Sequence, residues 1–309
     1  MIVRLLTLTL IAALTAACGP SDPPQPAAPQ TPPTPETAAR SEASRPGDDI
    51  RSALAEALAG EHRSDAHRAR DRYRNPVETL AFFGLEPQHR VVELWPGAGW
   101  YTEVLAPVLS DSGQLVVANF TTDPEAGMVG RIGQGLRDKL EAEPSVYGEV
   151  QEITFSPPDQ MSMGEAGSAD LVLISRHFHN LLARGIHEDV LASAFEVLKP
   201  GGVLGVIQHR LPPDRDFDGE ARIGYMPEAF VIEAAKEVGF ELDARSDINA
   251  NPMDTADHEL GVWALPPSLR ACADIEDDAE LSACRQRYQA IGESDRMTLK
   301  FVKPEESAR

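Results

Sequence analysis

Basic residues are scarce in this 309-residue chain, where 28 Lys plus Arg stand against 49 Asp plus Glu for a net charge of −21. Such a field repels phosphate backbones and anionic lipid surfaces, which argues against nucleic acid and charged membrane faces as partners. Aromatic residues are few as well, at 6%. No Gly-x-Ser-x-Gly elbow and no phosphate-loop lysine occurs, so two common signatures of hydrolases and nucleotidases are missing. The apolar run near the N-terminus is too short to span a bilayer comfortably. Cysteines number three, Cys18, Cys272 and Cys284.

What is present begins with "MIVRLLTLTLIAALTAAC", which joins one positive charge at Arg4 to a short apolar run and small residues before Cys18. That is the pattern of an export signal. Its ending resembles the lipobox of bacterial lipoproteins, with Thr15 at the third position before the cysteine. The resemblance implies that residues 1–18 are a signal peptide and lipobox, cleaved before Cys18, which is diacylated and becomes the new N-terminus. It also implies that the chain touches a membrane only through that lipid and, with Gly19 following, faces the periplasm from the outer membrane. Ordinary cleavage or an uncleaved anchor is the alternative.

Residues 19–48 carry no aromatic and no large aliphatic side chain, so nothing there offsets the entropy of ordering the backbone. Their prolines bias them to polyproline II at about 3.1 Å per residue, which makes a tether. The remaining cysteines fit an oxidising space. On one straight helix Cys272 and Cys284 would lie about 18 Å apart, beyond disulfide reach, so a bridge requires a fold-back. The acidic start of "DIEDDAELSACRQRYQ" places Cys284 on a helix and Cys272 in the loop before it; two unpaired buried thiols are the alternative.

From residue 90 onward, apolar runs such as "RVVELW", "QLVVANF", "ADLVLIS" and "GVLGVIQH" alternate with helical stretches. Continuous Val, Ile and Leu rather than strict alternation predicts strands covered on both faces. The expectation is an α/β fold with a doubly wound, mainly parallel sheet, preceded by N-terminal helices over residues 49–89. The folded region spans 49–309, with a helical insertion at 270–293 before the last strand. Ligands of such sheets bind beyond the carboxyl ends of the strands, so the loops after them matter most.

"ELWPGAGWYTEVLAP", "SADLVLISRHFHN" and "VLKPGGVLGVIQH" together resemble class I S-adenosylmethionine-dependent methyltransferases, over about residues 75–304. More narrowly, "RNPVETLAFFGL", "SDINANPMD" and "SDRMTLKFVKP" resemble exported bacterial proteins known only as predicted methyltransferases. The resemblance implies a Rossmann-like sheet of seven strands with the last antiparallel, S-adenosylmethionine as cofactor and a small-molecule acceptor. It further implies that Glu93, Trp95, Pro96, Gly97, Gly99 and Tyr101 around the first turn, with Asn119, Phe120 and Arg176, hold the donor.

Two positions depart from the class. Trp95 stands where the turn's first glycine belongs. The indole either narrows the methionine end, presents its face to the sulfonium for a cation–π attraction on the order of 1 kcal/mol, or packs under the turn. Asn119 replaces the acid that accepts both ribose hydroxyls; an amide can accept one and donate to the other. Phe120 either stacks on adenine or belongs to the core.

Methyl transfer needs alignment of donor and acceptor and a group to take a proton. His177, His179 and Asn180 after the fourth strand, and His209 at the end of the fifth, are the candidates for catalysis. Three histidines also match a metal set, but they come from two loops with no further ligand fixed by spacing, so no metal is expected. Asp216 and Asp218 read as solvated, Tyr225 as part of a lid. Asp247, Asn249, Asn251 and Asp254 read as turns or substrate contacts.

An exported domain has no evident supply of a donor made in the cytosol. The alternatives are therefore a methyltransferase-shaped domain that binds an envelope ligand without catalysis, or a metal-dependent hydrolase built on the histidines.

Overall fold

The computed structural model describes residues 46–305 apart from 218 and 220, and the side chains from 49. The signal segment, Cys18, most of the tether and Asp218 lie outside the described residues. A helix begins at Pro46, inside the stretch expected as tether.

Seven strands form one sheet: β1 Arg90–Leu94, β2 Gln114–Asn119, β3 Gln151–Thr154, β4 Ala169–Ser175, β5 Leu198–His209, β6 Glu241–Ser246 and β7 Arg296–Val302. Their order is β3-β2-β1-β4-β5-β7-β6. The first five pair in parallel, and β7 runs antiparallel between β5 and β6. This is the doubly wound, mainly parallel architecture that the apolar runs predict.

Alternation of side chains divides the core in two. Val92, Leu94, Val116 and Ala118 join one apolar cluster, while Val91, Leu115 and Val117 join the other. Among the described residues the helices are α1 Pro46–Ala59, α2 Asp65–Arg68, α3 Asp71–Arg74, α4 Pro76–Phe82, α5 Thr102–Leu109, α6 Met128–Ala142, α7 Pro144–Tyr147, α8 Phe178–Ala183, α9 His187–Val197, α10 Glu228–Val238 and α11 Asp278–Ile291.

Two differences from the expected elements affect the site. Among the expected N-terminal helices, the polar segment 62–75 folds as the two single turns α2 and α3. Arg63 reaches across the break to Asp71 with two hydrogen bonds of 2.7 and 2.8 Å. The Trp100 indole then donates to the His67 carbonyl at 3.0 Å, which fixes these turns over the end of β1. In addition, "RHFHN" is not a plain loop, because α8 starts within it at Phe178.

Cys272 sits in the short turn Arg270–Cys272 and Cys284 on α11; the two form a disulfide with Cα atoms 5.9 Å apart. The fold-back required by their spacing is therefore present.

Helix α6 approaches the segment after β2 closely. A Cβ on Gly133 would lie 2.3 Å from the Thr121 carbonyl oxygen. Gly133→Ala should therefore destabilise the chain by about 1–3 kcal/mol through overpacking, read as a lower urea midpoint with an unchanged slope.

Candidate functional site

β1 has β2 on one side and β4 on the other, and the chain winds outward from this pair in both directions, so the crevice of the fold opens between the carboxyl ends of β1 and β4. The turn after β1 carries Gly97 at φ +63°, where an added Cβ would meet nothing within 4 Å. The backbone there is open to a ligand.

Trp95 occupies the left-handed region at φ +47°, a costly place for so bulky a residue. Its backbone N–H still donates to Ala118 at 2.9 Å, and its side chain turns beneath the strand ends. The indole stacks on Phe120 with ring centres 4.8 Å apart and planes 17° off parallel. Its Nε1 donates to the Phe155 carbonyl at 3.0 Å, and His177 meets it edge-on at 5.6 Å. Of the roles open to this residue, packing under the turn is what the structure shows. Phe120 accordingly gives one face to the indole and is buried in the same apolar cluster.

Asn119 also needs correction. Its Nδ2 donates to the Gly133 carbonyl at 2.9 Å and to Glu152 at 2.8 Å, so it has no proton left for a ribose hydroxyl. Its buried Oδ1 has no partner. Glu93 accepts from Thr102 Oγ1 at 2.7 Å, and burial pushes its carboxyl up to about 7.

Two cavities lie over these strand ends. The first, about 160 Å³, is lined by Arg70, Arg74, Glu93, Pro96, Gly97 and Tyr101 among others. The second, about 180 Å³, is lined by His179, Asn180, His209, Trp263, Ser268 and Ser294 among others. Arg176 and His177 line both.

Charge in this region runs against that of the whole chain. Glu293 accepts from Arg70 Nε at 2.6 Å and Arg74 Nε at 3.2 Å, and Arg296 Nη1 lies 3.3 Å away. Burial would raise its carboxyl, but Arg74, Arg296, Arg176 and Arg70 outweigh it and hold the group down to about 2. Arg70 Nη2, Arg74 Nη2 and Arg176 Nε are buried without a hydrogen-bond partner. Sequence reasoning missed Arg70, Arg74, Trp263, Glu293 and Ser294. The signal for the first two was the run Arg63, Arg68, Arg70, Arg72 and Arg74 in a chain short of basic residues.

The four predicted catalytic residues do come together. Asn180 Nδ2 lies 3.3 Å from His177 Nδ1, Gln208 Nε2 lies 3.2 Å from His179 Nδ1, and Ser294 Oγ lies 2.5 Å from His209 Nδ1. The rings of His179 and His209 are 5.5 Å apart. Desolvation, aided by Arg176, pushes His177 down to about 3 and His179 to about 4; His209 falls well below its usual value for the same first cause. At neutral pH the three are uncharged. Uncharged, they can offer hydrogen bonds, and their lowered pKa disfavours a general-base role.

Tyr225 is no lid. It is 1% exposed and its hydroxyl donates to Asp254, which His258 and the Asp295 N–H also engage. Asp247 pairs with Arg210, Asn249 bonds Thr79 and Thr298, and Asn251 bonds the Ile291 and Glu293 carbonyls. This loop is structural. Among the described residues no three His, Cys, Asp or Glu are grouped to hold a metal.

No protein-family model and no curated protein significantly matches the chain. Solved structures do. The (4+2)-cyclase SpnF superposes with a TM-score of 0.52 at 17% identity, covering 83% of this chain and 93% of its own. A geranyl diphosphate methyltransferase in complex with S-adenosylmethionine gives 0.50 at 11% identity, covering 81% and 94%. These likenesses establish the Rossmann-like methyltransferase fold, while the chemistry rests on the site.

The buried imidazoles set an acid limit. The unfolded chain takes up protons on His179 and His209 near pH 6.5, and the folded chain resists until well below. The unfolded state then holds more protons, so stability falls as pH drops from about 6.5 toward 4, by about 1 kcal/mol per pH unit for each histidine. Urea denaturation at about pH 7 and pH 5 should show this loss, with a shallower dependence in His209→Asn.

Proposed function

We propose that this chain is an S-adenosylmethionine-dependent methyltransferase of the bacterial cell envelope that acts on a small-molecule acceptor. It stands with the exported proteins that its motifs resemble. The observation that carries this reading is the β1 turn, where an open Gly97 lies beside polar groups that lack partners. Arg74 Nη2, on the wall of the same cavity, is an unused donor suited to a carboxylate; Asn119 Oδ1, buried at the end of β2 outside that wall, is an unused acceptor that a hydroxyl would have to reach. A donor with an amino-acid end and a ribose offers both. Once bound, such a donor supplies an electrophilic methyl group on sulfur. The chain's part is to hold it through Arg74, Glu93 and the Gly97–Gly99 backbone. His177 and Asn180 orient the acceptor.

The adenine end is more demanding. With the indole against the buried Phe120, a cavity of about 160 Å³ is well below the roughly 300 Å³ of the smallest usual ligand sites. The group therefore fits only with the indole turned out. This observation favours a second reading, a methyltransferase-shaped module that binds an envelope ligand without catalysis.

Envelope location is supported by the export signal and lipobox pattern, and by the Cys272–Cys284 disulfide, since such bridges persist in oxidising compartments.

Trp95→Gly separates the two functional readings. Glycine suits the backbone at φ +47°, but removing the buried indole leaves a cavity that costs about 3–5 kcal/mol, so retention of the fold is checked by circular dichroism before titration. Under the methyl-transfer reading it should bind S-adenosylhomocysteine about tenfold more tightly than the native chain by isothermal titration. No heat from either protein would favour the non-catalytic module.

A further inference from the structure

The second cavity is lined by a guanidinium, that of Arg176, whose buried Nε has no hydrogen-bond partner. Arg176 leaves the end of β4 at φ +63°, a left-handed conformation that only surrounding structure enforces on a non-glycine residue. Its N–H continues the sheet by donating to Ile207 at 2.6 Å, so the backbone is fixed and the side chain is held between the two cavities. Among the described residues no carboxylate pairs with this guanidinium, and its Nε is buried without a partner. Nearby, the carboxylate of Glu293 pairs with Arg70, Arg74 and Arg296 and attracts Arg176 only from beyond ion-pair distance. The region thus keeps an excess of positive charge within a chain of net charge −21.

The wall also carries Glu293, which is tied into the arginine cluster, and is otherwise neutral but rich in hydrogen-bonding groups. His177, His179 and His209 are uncharged at neutral pH, Ser268 and Ser294 add hydroxyls, and Trp263 with Pro266 and Pro267 supplies apolar faces. Such a wall suits a compact molecule with one anionic end and a polar body.

We propose that Arg176 anchors an anionic oxygen group, a carboxylate or a phosphate, of a small acceptor lodged in the cavity of His179, His209 and Trp263. Calling this ligand the acceptor rests on the methyl-transfer reading; the anion site itself does not. Because the global field repels anions, recognition is local and comes from the guanidinium, whose planar donors match a carboxylate or phosphate edge. A hydroxyl on the ligand body would donate to an imidazole nitrogen, and Trp263 would pack against its carbon skeleton.

The test uses the full chain with no adenosyl compound present. Inorganic phosphate and acetate are titrated in separate arms at ionic strength held constant with sodium chloride, and the melting temperature is followed. A saturable rise with either ion supports the site, and the arm that responds identifies the anion class. Arg176→Gly removes the guanidinium at a backbone position that glycine prefers, so the fold is retained. There the half-saturation concentration should rise by about tenfold or more, while Arg176→Lys keeps a weaker response.

An absence of ion-specific response in the native chain, or an equal response in Arg176→Gly, would overturn the proposal. Its failure is separable from that of the methyl-transfer reading. Anion binding without S-adenosylhomocysteine binding leaves this site standing in a non-catalytic module. S-adenosylhomocysteine binding without an anion response removes this site alone.

Discussion

Two large side chains on left-handed backbone, Trp95 after β1 and Arg176 after β4, define the crevice where the winding of the sheet reverses. Each conformation costs on the order of 1 kcal/mol, and each is enforced by a hydrogen bond from its own N–H to a neighbouring strand. The consequence is directional. Backbone that would ordinarily carry a small residue drives an indole toward β3 and leaves a guanidinium between two cavities. The apolar side of the crevice is filled from within by Trp95, Phe120 and Phe155. Its polar side is left with unsatisfied donors.

Electrostatics follows from the same placement. β7 is antiparallel, so its first residues lie at the sheet edge where the parallel strands end, and Arg296 pairs with His209. This brings Glu293 and Ser294 from the far end of the sequence to the arginines of α3 and to His209. The carboxylate organises guanidinium groups that would otherwise repel one another. The neutral histidines line the same space without adding charge. An acidic protein thus contains a small basic basin, held rigid by neighbouring side chains.

The sheet was legible in the sequence because buried parallel strands require unbroken Val, Ile and Leu, and the spacing of Cys272 and Cys284 demanded the turn that the chain makes. The positions of His177, His179, Asn180 and His209 near one another followed from strand ends alone. The character of the site was not legible. Whether Trp95 faces a ligand or the core depends on whether Phe120 and Phe155 meet it, which is a matter of tertiary packing. Asn119 appeared free to bind a ribose because its partners, the Gly133 carbonyl and Glu152, come from α6 and β3. Arg70, Arg74, Arg176 and Glu293 are separated by up to 223 positions and converge only through β7. The weakened basicity of the histidines is likewise a property of enclosure that no spacing reveals.

On the methyl-transfer reading, the Trp95 indole stands where the adenine of the donor would lie. A crystal structure of the chain grown with S-adenosylhomocysteine tests it most directly. The expected result is the adenine ring against Phe120, with the indole turned away and its bond to the Phe155 carbonyl broken. Nucleoside bound elsewhere while the indole remains stacked on Phe120 would contradict it.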